Sequence, residues 1–432
     1  MTIEQLYELY TQYPSAQTDT RKLKPGDIFF ALKGPSFNGN VFAQQALEFG
    51  AAYAVIDEKE FATGNKTILV KDVLTTLQQL ARYHRLQFTS LPDGRQIPFI
   101  AITGSNGKTT TKELVYTVLS TTYKTYTTQG NLNNHIGIPL TILSIRRDAE
   151  IAIIEMGANH QKEIEGYCEY TLPTHGVITN CGKAHLEGFG GTEGVRRGKG
   201  ELYDYLRNKK GTAFVMWDYD YLQSMSKGIK EIITYGTKEA DYIGRILQCE
   251  PFIQVAIEKG ASIKKIRTQL VGEYNLSNVL VAVTIGKYFN IDDNKITEAI
   301  EAYAPTNSRS QLVSIGSNQI VLDAYNANPS SMKAAIENFS KMHKADKVLL
   351  LGAMAELGTD SLEEHKAIID LLTKYTWKEV VLVGGDFQKI AHPFTGLNNV
   401  AEAAEWFRKK QFQDTAILIK GSRSMQMEKV LA

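Results

Sequence analysis

The feature that most constrains this 432-residue chain is the run Gly104-Ser105-Asn106-Gly107-Lys108-Thr109-Thr110. The apolar stretch QIPFIAIT precedes it, and KTTTKELVYTVLST follows with helical spacing. Strand, glycine loop and helix in that order make a phosphate-binding frame. Glycines let backbone N–H groups approach phosphate oxygens, and the helix N-terminus adds a favourable dipole. On this reading Lys108 neutralises β/γ-phosphate oxygens and the Thr109 hydroxyl reaches Mg²⁺. The loop is shorter than G-x-x-x-x-G-K-[ST], because Ile102 stands where the first glycine would fall.

The surrounding pattern predicts a three-domain α/β protein. In residues 1–93, GDIFFAL (26–32), AAYAVID (51–57) and KTILVKD (66–72) read as strands. VFAQQALEFG (41–50), stopped by Gly50, and LTTLQQLARYHRL (74–86) read as helices of the same small unit. The breaker cluster LPDGRQIP (91–98) is a candidate linker. Residues 94–306 read as a central nucleotide-binding unit. There IAIIEMG (151–157) and HGVITNCG (175–182) are strands of a mostly parallel sheet, 232–270 is more β-rich and irregular, and NLSNVLVAVTIGKYF (275–289) is a helix. AYAPTNSRSQ (302–311) breaks the pattern. Beyond it, QIVLDAY (319–325), KVLLLGA (347–353), EVVLVGG (379–385) and AILIKGS (416–422) are strand candidates separated by helical stretches such as SSMKAAIENFSKM. Residues 307–432 therefore read as a Rossmann-like unit, with ligands expected at the C-terminal ends of its strands.

Charge and cysteines narrow the function further. With 48 basic and 47 acidic residues the net charge is +1, which gives no electrostatic footprint for nucleic acid or an anionic membrane. The opening MTIEQLYELYTQYPS carries acidic residues and lacks the apolar run of a secretory signal, and no stretch is long enough to span a bilayer. Cys168, Cys181 and Cys249 are far apart, with no CxxC pair. Buried free thiols in a cytoplasmic protein are the expectation.

Three further residues could serve the phosphate loop. Glu155 closes the strand IAIIE, where a carboxylate beside bound phosphates can hold Mg²⁺, although alone it would read as an exposed strand end. His185 sits among glycines just past a strand end. Lys199, in Gly-Lys-Gly-Glu-Leu, reads from its neighbours as a solvent-exposed lysine.

Taken together, the chain resembles the Mur ligase family. The likeness runs through TDTRKLKPGDIFFALKGPSFNGN, ITGSNGKTTTKE, GNLNNHIGIPLTIL, EMGANHQKEI, HLEGFGGTEGVRRGKGELY, YNANPSSM, MAELG and KGSRSMQMEKVL. EMGANHQKEI, GNLNNHIGIPL and YNANPSSM are similar to the branch that adds D-alanyl-D-alanine to a UDP-N-acetylmuramoyl-tripeptide. The resemblance implies a UDP-sugar-binding domain, an ATPase domain and a C-terminal domain for the incoming amine. It implies a cytoplasmic, monomeric ligase that uses ATP and two Mg²⁺ sites and proceeds through an acyl-phosphate. It assigns Lys108 and Thr109 to phosphate and Mg²⁺, and Glu155 and His185 to a second metal. Lys199 becomes a carbamylated lysine near that metal. Asn275 and Asn278 flank the adenine, and Arg309 and Asp323 reach the ATP phosphates and ribose. Thr20, Arg21 and Asn38 fall in the UDP-binding run, and Asn326, Asn328 and Arg423 in loops on the dipeptide side. Tyr274, Leu322, Ala353 and the triplet Asn38-Gly39-Asn40 depart from the usual family residues. A sister ligase of the superfamily, adding a third amino acid or glutamates to folate, is one alternative, and YNANPSSM and EMGANH argue against it. A P-loop protein using ATP only for conformational change is another, and it accounts for neither the first domain nor Lys199.

Overall fold

In a computed structural model of the chain, residues 1–91 and 94–432 are described; Pro92 and Asp93 of the expected linker lie outside them. The chain builds three main sheets. The first is all parallel, in the order Ala16–Gln17, Ile28–Phe30, Tyr53–Ile56, Thr67–Leu69. One face is covered by the helix Ala43–Glu48, which burial of Ala43 and Ala46 against Phe29, Ala54 and Ile56 holds in place. The other face receives the helix Val73–Leu86, capped by Asp72. A helix the sequence pattern did not single out, Ile3–Gln12, starts with a capping box between Thr2 and Gln5 and buries Leu6, Tyr7 and Tyr10.

The central sheet has nine strands. Its order is Ile266–Arg267, Gln254–Lys259, Tyr242–Gln248, Glu231–Gly236, Thr212–Met216, His175–Ile178, Phe99–Thr103, Ile151–Glu155, Thr125–Thr127. The strands from Tyr242–Gln248 through Thr125–Thr127 are parallel, and the two pairings toward the far edge are antiparallel. The irregularity expected over 232–270 is this edge, with register shifts at Ile243/Gly244 and Ile246/Gln248. Phe99–Thr103 and Ile151–Glu155 are buried along their whole length, as continuous apolar strands in a parallel sheet must be.

The third sheet runs Gln311–Ile315, Asn318–Asp323, Ala416–Lys420, Lys347–Gly352, Glu379–Val383, Thr395–Leu397. All pairs are parallel except the first, a hairpin. That hairpin corrects the reading of 302–311 as only a break: Gln311 already pairs with Leu322. The edge strand was hidden because its side chains are only partly covered and show no sustained apolar run.

The first and second units share one core. Leu77, Leu80 and Phe88 join the cluster that contains Phe99, Ile142 and Tyr170. Arg85, fully buried, fixes the joint: Nε donates to Thr171 O at 2.9 Å and Nη2 to Leu172 O at 3.1 Å, while the guanidinium stacks 3.7 Å above Phe99. It thereby caps the carbonyl end of the helix Glu163–Thr171. Burial pulls its pKa down to about 9. Arg85→Ala removes both bonds and the stacked stem, and is expected to cost about 2–4 kcal/mol, measured as a lower denaturant midpoint. Arg85→Lys recovers little, since an ammonium cannot span both carbonyls and stack at once.

Candidate active site

The phosphate loop adopts a backbone that only glycine takes without strain. Gly104 has φ +141° and Gly107 φ +81°. A Cβ on Gly104 would run into Thr179 Oγ1, and one on Gly107 would stand 2.7 Å from Asn278 Oδ1. The loop is braced by the polar end of the strand His175–Ile178. Thr179 Oγ1 and Asn180 Nδ2 donate to Asn106 O at 2.6 and 3.0 Å, and Asn106 N donates to Asn180 Oδ1 at 3.1 Å. Ser105 Oγ donates to Gly182 O at 2.9 Å. Gly107 caps the helix Lys108–Leu119, so Lys108, Thr109 and Thr110 form its first turn. Lys108 Nζ folds over the loop, donating to Gly104 O at 2.6 Å and Ser105 O at 3.2 Å. Burial lowers its pKa from the ordinary lysine value; Glu155 opposes the fall and Arg309 adds to it.

Glu155 ends its strand one neighbour away and is 1% exposed, not the open strand end it resembled in isolation. Thr109 Oγ1 lies 3.1 and 3.0 Å from its two oxygens, and Asn133 Nδ2 donates to Oε1 at 2.8 Å. Thr128 Oγ1 accepts from Glu155 N at 3.0 Å, and Lys112 Nζ donates to Thr128 O at 2.7 Å. A carboxylate and a hydroxyl, both oxygen donors, facing a phosphate loop match what Mg²⁺ prefers.

Lys199 overturns its local reading. It lies on the helix Thr192–Lys209 and is 1% exposed. The helix packs closely here because Gly198 leaves room for the Phe189 ring. Lys199 Nζ donates to Ala158 O at 2.9 Å and sits 4.8 Å from the Phe189 ring centre. Burial, with the Lys108 charge second, brings its pKa down to about 7. His185 has φ +52°, and its Nδ1 stands 2.6 Å from Glu356 Oε2, a group of the third unit. Among the described residues no three His, Cys, Asp or Glu side chains converge on a metal-sized site. Of the three thiols, Cys168 and Cys181 are buried as expected, whereas Cys249 is only partly so.

The third unit closes over the loop. Asn328 Nδ2 donates to Asn106 Oδ1 at 2.7 Å, Lys183 N donates to Ser330 Oγ at 2.8 Å, and Lys183 Nζ pairs with Glu364 at 2.5 Å. The Arg309 guanidinium lies 3.5 Å above Tyr325. Asp323 accepts from Ser310 N at 3.0 Å and pairs with Lys420 at 2.6 Å, while Tyr274 and Ser310 hydroxyls meet at 2.7 Å. Asn326 Oδ1 accepts from Ala327 N at 2.9 Å and Arg423 N at 3.2 Å.

Asn275, Asn278 and the expected residues of the first unit complete the set. Asn278 Oδ1 accepts from Thr111 Oγ1 at 3.0 Å, Asn278 Nδ2 donates to Asn275 Oδ1 at 2.8 Å, and Asn275 Nδ2 donates to Val271 O at 2.8 Å. Both asparagines are buried behind Gly107, where they shape the loop. Thr20, Arg21 and Asn38 lie on the first unit. Arg21 pairs with Asp19 at 2.9 Å, Asn38 Nδ2 donates to Glu58 at 2.8 Å, and no bond links the three to the phosphate loop among the described residues. Sequence reasoning passed over Asn133, Thr128, Asn180, Ser330 and Glu356. Asn180 was accessible, since it lies just past a strand end; Ser330 and Glu356 meet Lys183 and His185 only through the fold.

A phosphate loop whose strand-end neighbours face a second nucleotide-fold domain defines a ligase-type architecture, and the chain belongs to the Mur ligase family. Residues 15–85 match the Mur ligase family catalytic domain, 102–286 the Mur ligase middle domain, and 308–423 the Mur ligase glutamate ligase domain. The UDP-N-acetylmuramoyl-tripeptide–D-alanyl-D-alanine ligase of Bacillus subtilis is 33% identical over 96% of this chain and 91% of its own. The structure of MurF from Acinetobacter baumannii superposes with TM-score 0.88 at 29% identity, covering 100% of this chain and 97% of that one. MurF from Thermotoga maritima in complex with ADP superposes with TM-score 0.85 at 25% identity, covering 96% of each.

The Gly107 geometry generates a test. Gly107→Ala adds left-handed strain of about 1–2 kcal/mol and crowds Asn278, so ADP affinity measured by calorimetry is expected to fall about tenfold or more. Unchanged affinity would show that the loop does not need this conformation to bind.

Proposed function

We propose that this chain uses ATP to join D-alanyl-D-alanine to UDP-N-acetylmuramoyl-tripeptide, giving the pentapeptide precursor of peptidoglycan. The observation that carries the reading is the meeting, around one phosphate loop, of Lys108 from the central unit with Arg309 and Asn328 from the third. The full-length relatives that bear this activity in their names support it. A nucleotide-linked substrate and ATP fit a cytoplasmic reaction.

The tripeptide's terminal carboxylate is a poor electrophile. Its oxygen attacks the γ-phosphorus, the bond to the β-phosphate oxygen breaks, and ADP leaves an acyl-phosphate. Two anionic groups approach each other in that step, so Lys108 and Arg309 screen charge where it develops. The dipeptide amine, having lost its ammonium proton, then attacks the acyl carbon, and the carbon–oxygen bond to phosphate breaks. Asn328 on Asn106, Ser330 on Lys183 and Glu364 on Lys183 hold the third unit against the loop, which keeps water from the acyl-phosphate. Asp323 is the group we assign to the nucleotide ribose, and the first unit, through the run containing Thr20, Arg21 and Asn38, to the UDP moiety.

Thr109 and Glu155 are the residues that would hold one Mg²⁺; bound there, the ion neutralises phosphate charge. Glu155 and His185 alone are a sparse set for a second ion. Carbamylation of Lys199 supplies the missing anion. Carbon dioxide reacts only with a neutral amine, and a lysine held near pKa 7 offers one at neutral pH, whereas an ordinary lysine does so only near pH 10.4. Carbon dioxide depletion should therefore lower activity, and added bicarbonate should restore it more fully at pH 8 than at pH 6. Native mass spectrometry should show one added carbon dioxide that Lys199→Ala lacks. Full activity in rigorously depleted buffer would rule the modification out as a requirement.

The reaction itself is tested by phosphate release from ATP with the tripeptide nucleotide, with and without D-alanyl-D-alanine. Release that needs both, with a product heavier by the dipeptide residue, is the expected result. Release indifferent to the dipeptide would sink the reading.

A further inference from the structure

We propose that Arg423 binds the C-terminal carboxylate of the incoming dipeptide and so selects an acceptor whose far end is an anion; the assignment rests on the reaction proposed above. Arg423 opens a short turn just past the strand Ala416–Lys420, at the C-terminal edge of the third sheet, where nucleotide-fold proteins gather their ligands. Two contacts fix its place beside the phosphate loop. Its backbone N–H donates to Asn326 Oδ1 at 3.2 Å, tying it to the turn that delivers Asn328 to Asn106. Its guanidinium carbon lies 5.6 Å from the centre of the Tyr325 ring, the ring over which Arg309 stacks at 3.5 Å.

The two cations have different surroundings. Arg309 acts electrostatically on Lys108 and belongs to the phosphate end of the site. Arg423 is 61% exposed in its side chain, with Glu428 at 2.9 Å from Nη1. That single pairing steadies the guanidinium by one edge, and among the described residues Nε and Nη2 make no hydrogen bond, which leaves a fork matched to a carboxylate. Spacing completes the argument. Both guanidinium groups lie over the Tyr325 ring, at 3.5 and 5.6 Å from its centre, so they are close enough for a dipeptide of about 7 Å to bridge. With the carboxylate on Arg423, the amine is left to face Arg309, the cation that acts on Lys108. An uncharged acceptor end would lose that charge-assisted anchor.

The test compares D-alanyl-D-alanine with its C-terminal carboxamide as acceptors for the intact enzyme and for Arg423→Gln. The wild-type enzyme is expected to prefer the acid by at least tenfold in kcat/KM. Arg423→Gln should raise KM for the acid at least tenfold, bring the two acceptors to within about threefold of each other, and leave KM for ATP and for the tripeptide nucleotide unchanged. Arg423→Lys, which keeps the charge but not the fork, should show an intermediate preference. A variant that retains the wild-type acid-to-amide ratio, or a wild-type enzyme that accepts both equally, overturns the assignment. Wild-type enzyme that uses neither acceptor overturns the proposed reaction instead, so the two failures are distinguishable.

Discussion

Gly104 and Gly107 hold the phosphate loop in positive-φ conformations, and the directions of Lys108 and Thr109 follow from that backbone. The loop does not support itself. Asn180 and Thr179 grip it from the neighbouring strand end, and the Asn275–Asn278 pair fills the space behind Gly107. The Thr179 and Asn180 braces are hydrogen bonds to part-buried backbone groups of Asn106, which would lose their partner if either side chain were removed. Thr109 then faces Glu155, because parallel strands Phe99–Thr103 and Ile151–Glu155 end side by side in register, Ile102 opposite Glu155.

Around that loop the chain concentrates positive charge: Lys108, Lys199 and Arg309. Most proteins disperse such charges, since desolvating a cation beside another is unfavourable. Here the crowding has a chemical use. Burial depresses the pKa values of Lys108 and Lys199, the neighbouring cations add to the fall, and a bound anionic phosphate would relieve the repulsion. The site is thus arranged for ligands it must neutralise.

The third unit adds polar contacts around the phosphate loop to the apolar packing it shares with the other two. The first and central units merge into one hydrophobic cluster across the Val73–Leu86 helix, which suits a fixed joint. The strands of the third sheet alternate between that cluster and one of their own, built from Ile320, Val348, Val381 and Ile417. Its polar grip is one asparagine on the phosphate loop, and a serine and two ion pairs on the adjoining Lys183–His185 segment. Contacts of that kind are individually modest and are easily exchanged for water, the property an enzyme needs if a domain must open to release product.

The sequence alone determined the phosphate loop, the strand-end position of Glu155, the alternating α/β order and the family resemblance, because each is a local signal: a glycine pattern, an apolar run, a contiguous motif. It placed the helices at 74–86 and 275–289 and the four parallel strands of the third unit close to where they fold. It misjudged Lys199 from its neighbours, since a Gly-Lys-Gly run carries no sign of the Phe189 ring and Lys108 charge that the fold brings against it. It could not see Glu356 beside His185 or Ser330 on Lys183, nor the edge strand Gln311–Ile315, whose partner defines it. Those were decided by tertiary structure, because burial, pKa and cross-domain pairing depend on which surfaces meet, and residues far apart in the chain settle that together.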